Sequence, residues 1–168
     1  MTNKGWLYIA AALLPALLPS AASGQQVLMT ERTLSLDAAR EAATAAVETC
    51  RKNGFHVTVT VLNKAGAQKA VLHDDGANPH TLENSFRKAY TSLTTRAPSG
   101  DLGKRIAANP GAAGLLQLQN MTPLEGALPI KAGNDMVGAI GVSGAPGGDA
   151  DDACAAAGIK AIAQEIEF

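Results

Sequence analysis

The fold of this 168-residue chain is decided by residues 57–73, which read VTVTVLNKAGAQKAVLH. Valine occupies every second position of the VTVTV segment and threonine lies between, a period of two that predicts a strand with one buried and one exposed face. Residues 63–66, NKAG, have the composition of a turn, and residues 67–73 then return as a second strand. The stretch therefore predicts an antiparallel hairpin.

A second hairpin is predicted further along the chain. Leu128–Ile130 and Asp135–Val142 are strand-like, and Gly133 and Asn134 supply a turn between them. The segment MVGAIGV within the second of these strands is nearly all apolar, so it is expected to be a central strand of the sheet.

Helices are predicted before, between and after the two hairpins. Ser35 is placed to cap the first helix, which ends at Asn53-Gly54. The others are expected at about residues 80–95, 102–108, 112–118 and 149–167. The apolar positions expected to be buried on the first two long helices are Leu36, Ala39, Ala43, Ala46, Val47 and Cys50, and Leu82, Phe86, Ala89 and Leu93.

The order of elements is helix, hairpin, helices, hairpin, helix. Because the strands come in adjacent pairs and do not alternate with helices, the chain is predicted to be α+β, an antiparallel sheet flanked by helices.

Residues 1–24 have the pattern of a secretory signal peptide. Lys4 is their only charge, and an apolar run from Trp6 to Leu18 precedes a zone of small residues. The run is shorter than the roughly 20 residues that span a bilayer core, so cleavage is expected, with an uncleaved N-terminal anchor as the alternative. The prediction is a secreted or periplasmic protein with a short tail at 25–33, one domain at 34–168 and no stable membrane insertion after cleavage.

Charge and cysteine content narrow the function classes. Without residues 1–24 the chain has a slight excess of acidic residues and few aromatic ones, so nucleic acid and anionic lipid are not expected partners. Cys50 and Cys154 lie far apart and outside any CxxC motif. In an oxidising compartment they can form a disulfide, and the alternative is two small buried apolar residues.

Five segments carry a resemblance to a known family: DDGA at 74–77, RKAYT at 87–91, LPI at 128–130, VGAIGVSG at 137–144, and Asp149 with Cys154. This pattern resembles the GlcG/HbpS family, which includes secreted haem-binding proteins and the C-terminal domain of some corrinoid adenosyltransferases. The resemblance implies a profilin-like layered sheet flanked by helices and assembly into homo-oligomers, dimers or larger.

The resemblance also implies a function. We expect an exported haem-binding or haem-responsive protein that is not an enzyme. The alternatives are an accessory protein or enzyme for a small 2-hydroxy or keto carboxylate, and a ligand-free structural oligomer.

Candidate haem-binding residues cluster around the second helix. Haem iron is often held by histidine; His80 opens this helix and His73 ends the preceding strand, so they bracket one loop. His80 is the first candidate for the iron ligand and His73 the second, against the alternative that both are surface residues. Arg87 and Tyr90 are three residues apart on one helix face, where they can meet a propionate or carboxylate, or simply form a solvated face.

Three other motifs favour structural roles. Gly141-Val-Ser143-Gly-Ala145 resembles a nucleophile elbow, but the fifth residue is not glycine and no histidine follows it. Asp74-Asp75 is expected to stabilise a turn in preference to binding a hard cation. The glycine-rich loop at 144–148 is expected to be a tight turn, since the aspartates that follow it (Asp149, Asp151 and Asp152) would repel an anion at the helix start.

Overall fold

The computed structural model describes Met1 and residues 29–166. The chain divides into a unit of residues 1–30 and a unit that begins at Glu31. Every helix and strand of the described residues belongs to the second unit. The predicted signal peptide lies almost entirely outside the described residues. None of the helices in the described part of the chain has the length and apolar character needed to cross a membrane.

The centre of the fold is a four-stranded antiparallel sheet. Its strands are β1 (Thr58–Asn63), β2 (Gln68–His73), β3 (Ala127–Ala132) and β4 (Asp135–Ser143), in the order β2-β1-β4-β3. Both predicted hairpins are confirmed, as is the α+β class. β4 pairs with β1 on one side and β3 on the other, so its apolar sequence does mark a central strand.

Six helical segments of residues 29–166 surround this sheet. They are α1 (Leu36–Lys52), α2 (His80–Thr95), α3 (Asp101–Ala108), a 3₁₀ segment (Pro110–Gln117), α4 (Gly148–Ala161) and α5 (Ala163–Ile166). Ser35 caps α1 by accepting a hydrogen bond from the backbone N–H of Ala38 at 3.1 Å, as expected. The single C-terminal helix predicted over 149–167 is instead interrupted at Ile162.

Helices α1 and α4 cover one face of the sheet, and most of the apolar core lies between these helices and that face. Val59 and Val61 of β1 and Ile140 of β4 pack there against small residues of α1. A disulfide joins Cys50 of α1 to Cys154 of α4, and both residues are buried. Of the two alternatives for the cysteines, the structure therefore shows the pairing.

The opposite face of the sheet is covered by α2, so β1 is buried on both faces and the prediction of a half-exposed strand is wrong. Its threonines remain buried because α2 supplies hydroxyl partners. Thr58 Oγ1 lies 2.6 Å from Thr81 Oγ1, and Thr60 Oγ1 lies 2.8 Å from Ser85 Oγ. The interface between β1 and α2 is thus held by hydroxyl pairs, on the face of β1 that was expected to be exposed.

The buried face of α2 is only partly the predicted one, since Ala89 is fully buried but Leu82 is not. Leu82 is 45% exposed, whereas Ser85 is fully buried. The reason is the close approach of α2 to β4: a Cβ atom built on Gly141 would lie 2.3 Å from the carbonyl oxygen of Ser85 and 2.7 Å from the backbone nitrogen of Ala89. Large side chains do not fit in this gap, so small and polar ones occupy it. On α1, Leu36 is likewise exposed against expectation.

Replacing Gly141 with alanine is therefore expected to destabilise the protein by about 1–3 kcal/mol, the usual effect of overpacking. The added methyl group would collide with the backbone of α2 and not with a movable side chain. The measurement is urea unfolding, with Gly114→Ala as the control because a Cβ at Gly114 meets open space. Equal unfolding midpoints for the two variants would contradict this close contact.

Candidate functional site

A large cavity lies where the start of α2, the end of β4 and the start of α4 meet α3. Its volume is about 760 Å³. The residues that line it are Asn78, His80, Asn84, Lys88, Gly100, Gly103, Lys104, Pro123, Leu124, Glu125, Ser143, Gly144, Ala145, Pro146, Gly147, Gly148 and Asp151. The glycine-rich loop at 144–148, expected to be only a turn, forms one wall of this cavity.

A buried ion pair forms part of the cavity wall. Lys88 is 4% exposed, and its Nζ donates to Asp151 Oδ2 at 2.7 Å and to the carbonyl oxygen of Val142 at 3.1 Å. The backbone N–H of Ala145 donates to Asp151 Oδ1 at 3.0 Å. Burial raises the pKa of Asp151, while the charge and hydrogen bond of Lys88 act in the opposite direction. The pair ties α2 to the first turn of α4.

Gly126 makes room for this ion pair. Its φ is +122°, which favours glycine, and a Cβ atom there would lie 2.6 Å from Lys88 Nζ. The backbone N–H of Gly126 donates to Asp152 Oδ1 at 3.0 Å, and burial raises the pKa of Asp152. Asp151 and Asp152, two of the three aspartates expected to repel an anion at the helix start, are therefore engaged in bonds within the protein.

Three polar residues of α2 follow one stripe along the cavity. His80, Asn84 and Lys88 are spaced by four residues, which places them on the same side of a helix. Asn84 Nδ2 donates to Ser143 Oγ across the cavity wall at 3.0 Å, and Ser143 is 2% exposed. Sequence reasoning missed Asn84 and Lys88 as site residues, although the four-residue spacing from His80 was visible.

The two candidate histidines lie in different surroundings. His80 is exposed and lines the large cavity, and its imidazole makes no hydrogen bond with any residue that the structure describes. His73 Nδ1 lies 2.6 Å from Thr58 Oγ1, and His73 lines a separate cavity of about 250 Å³ together with Arg51 and Asp74. The structure thus does not bring them into one cleft.

The other two candidates from α2, Arg87 and Tyr90, are outside the large cavity as its described residues define it. Arg87 Nη2 donates to the carbonyl oxygen of Met121 at 2.9 Å, and Nη1 lies 3.5 Å from Glu83 Oε1. The ring of Tyr90 lies 5.9 Å from that of Phe86, centroid to centroid. Both side chains therefore have partners within the protein.

Asp74, expected to stabilise a turn, is the buried centre of a charge cluster. Its side chain is 1% exposed, accepts a hydrogen bond from Arg51 Nε at 2.8 Å and lies 3.3 Å from His56 Nδ1. The hydrogen bond from Arg51 lowers the pKa of Asp74, with a further contribution from His56, against the opposing effect of burial. The cluster joins the end of α1 to the end of β2.

This lowered pKa predicts how stability depends on pH. Because the carboxylate is favoured in the folded state, its contribution is present above the unfolded pKa of about 3.9 and is lost as the pH falls through the folded pKa. Asp74→Asn is therefore expected to be less stable than the wild type near neutral pH, by an amount that shrinks below about pH 4. Urea unfolding across this range measures it, with the exposed neighbour variant Asp75→Asn as control. A difference that is constant with pH would contradict the assignment.

The domain that carries these features matches a family model over residues 34–160, described as haem degrading protein HbpS-like. The chain belongs to the HbpS-like family. The resemblance to GlcG/HbpS proteins stated from the sequence is thereby confirmed. A curated relative of this HbpS-like chain is protein GlcG of Escherichia coli (strain K12), which is 30% identical over 116 residues, 69% of this chain and 85% of that protein.

Solved structures show the same fold. A double mutant of Streptomyces reticuli HbpS is 40% identical, with a TM-score of 0.76, covering 87% of this HbpS-like chain and 97% of that one. A complex of PduOC with haem has a TM-score of 0.69 at 22% identity, covering 77% and 95% of the two chains. At that identity, the PduOC likeness concerns the fold alone.

Proposed function

We propose that the protein is an exported haem-binding protein whose large cavity, between α2 and α4, holds the haem. The observation that carries this proposal is the free imidazole of His80 at that cavity, in a chain whose family is described by its action on haem. Binding without turnover, export through residues 1–24 and assembly into homo-oligomers are parts of the same proposal, supported by the sequence pattern and the resemblance.

The residues of the cavity fit such a ligand. An imidazole such as that of His80 is a common axial ligand of haem iron. Leu124, which is 50% exposed, contributes apolar surface together with Pro123 and Pro146, as the face of a porphyrin requires. Lys104 adds a positive charge to the cavity lining. When bound, the haem would supply a redox-active iron, while the protein supplies the axial ligand and the apolar contacts.

The His80→Ala variant is expected to bind haemin at least about tenfold more weakly than the wild type and to show a shifted Soret band, because its axial ligand is gone. The measurement is a spectroscopic titration of the protein that begins at residue 25. His73→Ala is the matched control, since His73 lines the smaller cavity. An unchanged spectrum and affinity in His80→Ala, or a loss confined to His73→Ala, would contradict the assignment.

The same titration distinguishes binding from degradation, the activity named in the family description. The Soret absorbance of the complex is followed for hours after a reductant is added. A stable band is expected if the protein only binds haem. Progressive loss of the band in the wild type but not in His80→Ala would show that the protein degrades haem. This result would overturn the non-catalytic part of the proposal but would still support a haem site at His80.

A further inference from the structure

We propose that the floor of the large cavity is a carboxylate-binding subsite made by Lys88, Ser143 and Asn84. The proposal rests on the proposed function only for the source of the carboxylate, which is either a propionate arm of haem or a small free carboxylate. The subsite itself is supported by hydrogen-bond donors that line the cavity and have no acceptor among the described residues.

One N–H of the Lys88 ammonium group has no acceptor among the described residues. An ammonium group carries three N–H bonds, and the structure gives Lys88 Nζ two acceptors, Asp151 Oδ2 and the carbonyl oxygen of Val142. The side chain lines the cavity although it is only 5% exposed. An N–H left without an acceptor at such depth is costly, and an anionic oxygen entering the cavity would satisfy it.

Ser143 and Asn84 add two further donors beside Lys88, since Asn84 lies one turn away on α2 and Ser143 follows Val142, whose carbonyl oxygen accepts from Lys88. Ser143 Oγ accepts the hydrogen bond from Asn84 Nδ2, so the hydroxyl proton of Ser143 has no acceptor among the residues described. The second N–H of Asn84 is also unused there. Ser143 is almost completely buried. Three donors from α2 and β4 therefore converge on one end of the cavity.

The neighbouring acid does not satisfy these donors. Both oxygens of Asp151 already accept hydrogen bonds, Oδ2 from Lys88 and Oδ1 from Ala145. Lys104 and Glu125 also line the cavity and carry opposite charges. The groups without an acceptor among the described residues are thus one N–H of Lys88, one N–H of Asn84 and the hydroxyl of Ser143, which are donors of the kind that bind a carboxylate.

The geometry of α2 allows one ligand to use both the floor and His80. Eight residues separate His80 from Lys88, about 12 Å along a helix axis at 1.5 Å per residue. If His80 held a haem, Lys88 and Asn84 would be the polar side chains available to a propionate on the same side of the helix. A small free carboxylate would occupy the floor alone.

The experiment compares haemin, haemin dimethyl ester and sodium propionate as ligands of the protein that begins at residue 25. Lys88→Met removes the ammonium group, but Asp151 would then be buried without a partner, so Lys88→Met/Asp151→Leu is used with it. Ser143→Ala removes one neutral donor with little change in shape. Lys131→Met, an exposed lysine on β3, is the control for a general loss of positive charge.

If the subsite holds a propionate, wild-type protein should bind haemin about tenfold more tightly than the dimethyl ester, the effect of one charge-assisted hydrogen bond. This preference should vanish in Lys88→Met/Asp151→Leu, fall about fivefold in Ser143→Ala and persist in Lys131→Met. If the source is a free carboxylate, sodium propionate should raise the melting temperature of the wild type and not of the double variant.

Failure of the subsite and failure of haem binding give different results. Equal binding of haemin and its ester by the wild type, with no effect of sodium propionate, would overturn the subsite and leave the haem proposal standing. Stabilisation by sodium propionate that depends on Lys88, without any Soret shift on adding haemin, would support the subsite and overturn the haem proposal.

Discussion

Lys88→Met is expected to lower the free energy of unfolding by about 3–5 kcal/mol, the usual effect of removing one partner of a buried ion pair. The side chains of Lys88 and Asp151 are 5% and 4% exposed, so without the ammonium group the charge of Asp151 would be left largely desolvated. Asp151 also orders the loop at Ala145. We expect a lower midpoint in urea unfolding and less protection of the amides in that loop.

The loss of stability caused by Lys88→Met is expected to depend on pH. Burial raises the pKa of Asp151, so the folded state favours the protonated acid and stability is lost as the pH rises from the unfolded pKa of about 3.9 through the folded one. Without Lys88, the pKa of Asp151 in the folded state should rise further, so more stability should be lost as the pH rises. The difference in unfolding free energy between the wild type and Lys88→Met should therefore increase with pH.

Two further variants separate the loss of the buried pair from a general loss of positive charge. Lys88→Met/Asp151→Leu should recover most of the lost stability, because no charge is left buried. Lys104→Met, which breaks the exposed pair with Asp101, should leave the midpoint of urea unfolding nearly unchanged, because a solvent-exposed ion pair adds little to stability. A Lys88→Met protein as stable as the wild type would show that the pair is not formed.

Removal of the disulfide is the second large effect. Cys50→Ala/Cys154→Ala is expected to lose about 2–5 kcal/mol of unfolding free energy, because the bond closes a long loop in the unfolded chain. The two residues are 104 positions apart and join α1 to α4. Urea unfolding of the variant is compared with that of the wild type in the presence and absence of dithiothreitol.

In reductant, the unfolding free energy of the wild type should approach that of the double variant. The unfolding free energy of the double variant should not change when reductant is added. Equal stability of oxidised wild type and double variant would contradict a disulfide that constrains the unfolded chain. Free thiols in the oxidised, denatured wild type would contradict the bond itself.

The main elements of the fold could be predicted from local patterns. The alternation at 57–61 identified β1, the apolar run in MVGAIGV identified β4, and the predicted ends of α2 match its bounds of His80–Thr95. These features depend on neighbouring residues, for which period and capping rules hold. The environment of β1 could not be predicted in the same way, since the partners of its threonines come from α2, more than twenty residues away.

The site was only partly predictable for the same reason. An imidazole at the start of α2 could be identified by residue type, and His80 does line the large cavity. The burial of Lys88 could not be predicted, because its partner Asp151 is 63 positions further along the chain. Burial of the pair also depends on Gly126, whose missing side chain leaves room for Lys88 Nζ. No local pattern connects these three residues.

NMR on the ¹⁵N-labelled protein that begins at residue 25 is the sharpest test of whether the cavity between α2 and α4 is the ligand site. Paramagnetic haemin broadens the amide signals of residues near the iron. We expect broadening centred on the start of α2 and on residues 144–148, with the amides of Val71 and Leu72 beside the smaller cavity unaffected. Broadening centred on His73 and its neighbours, or no localised broadening, would contradict a haem site in the large cavity.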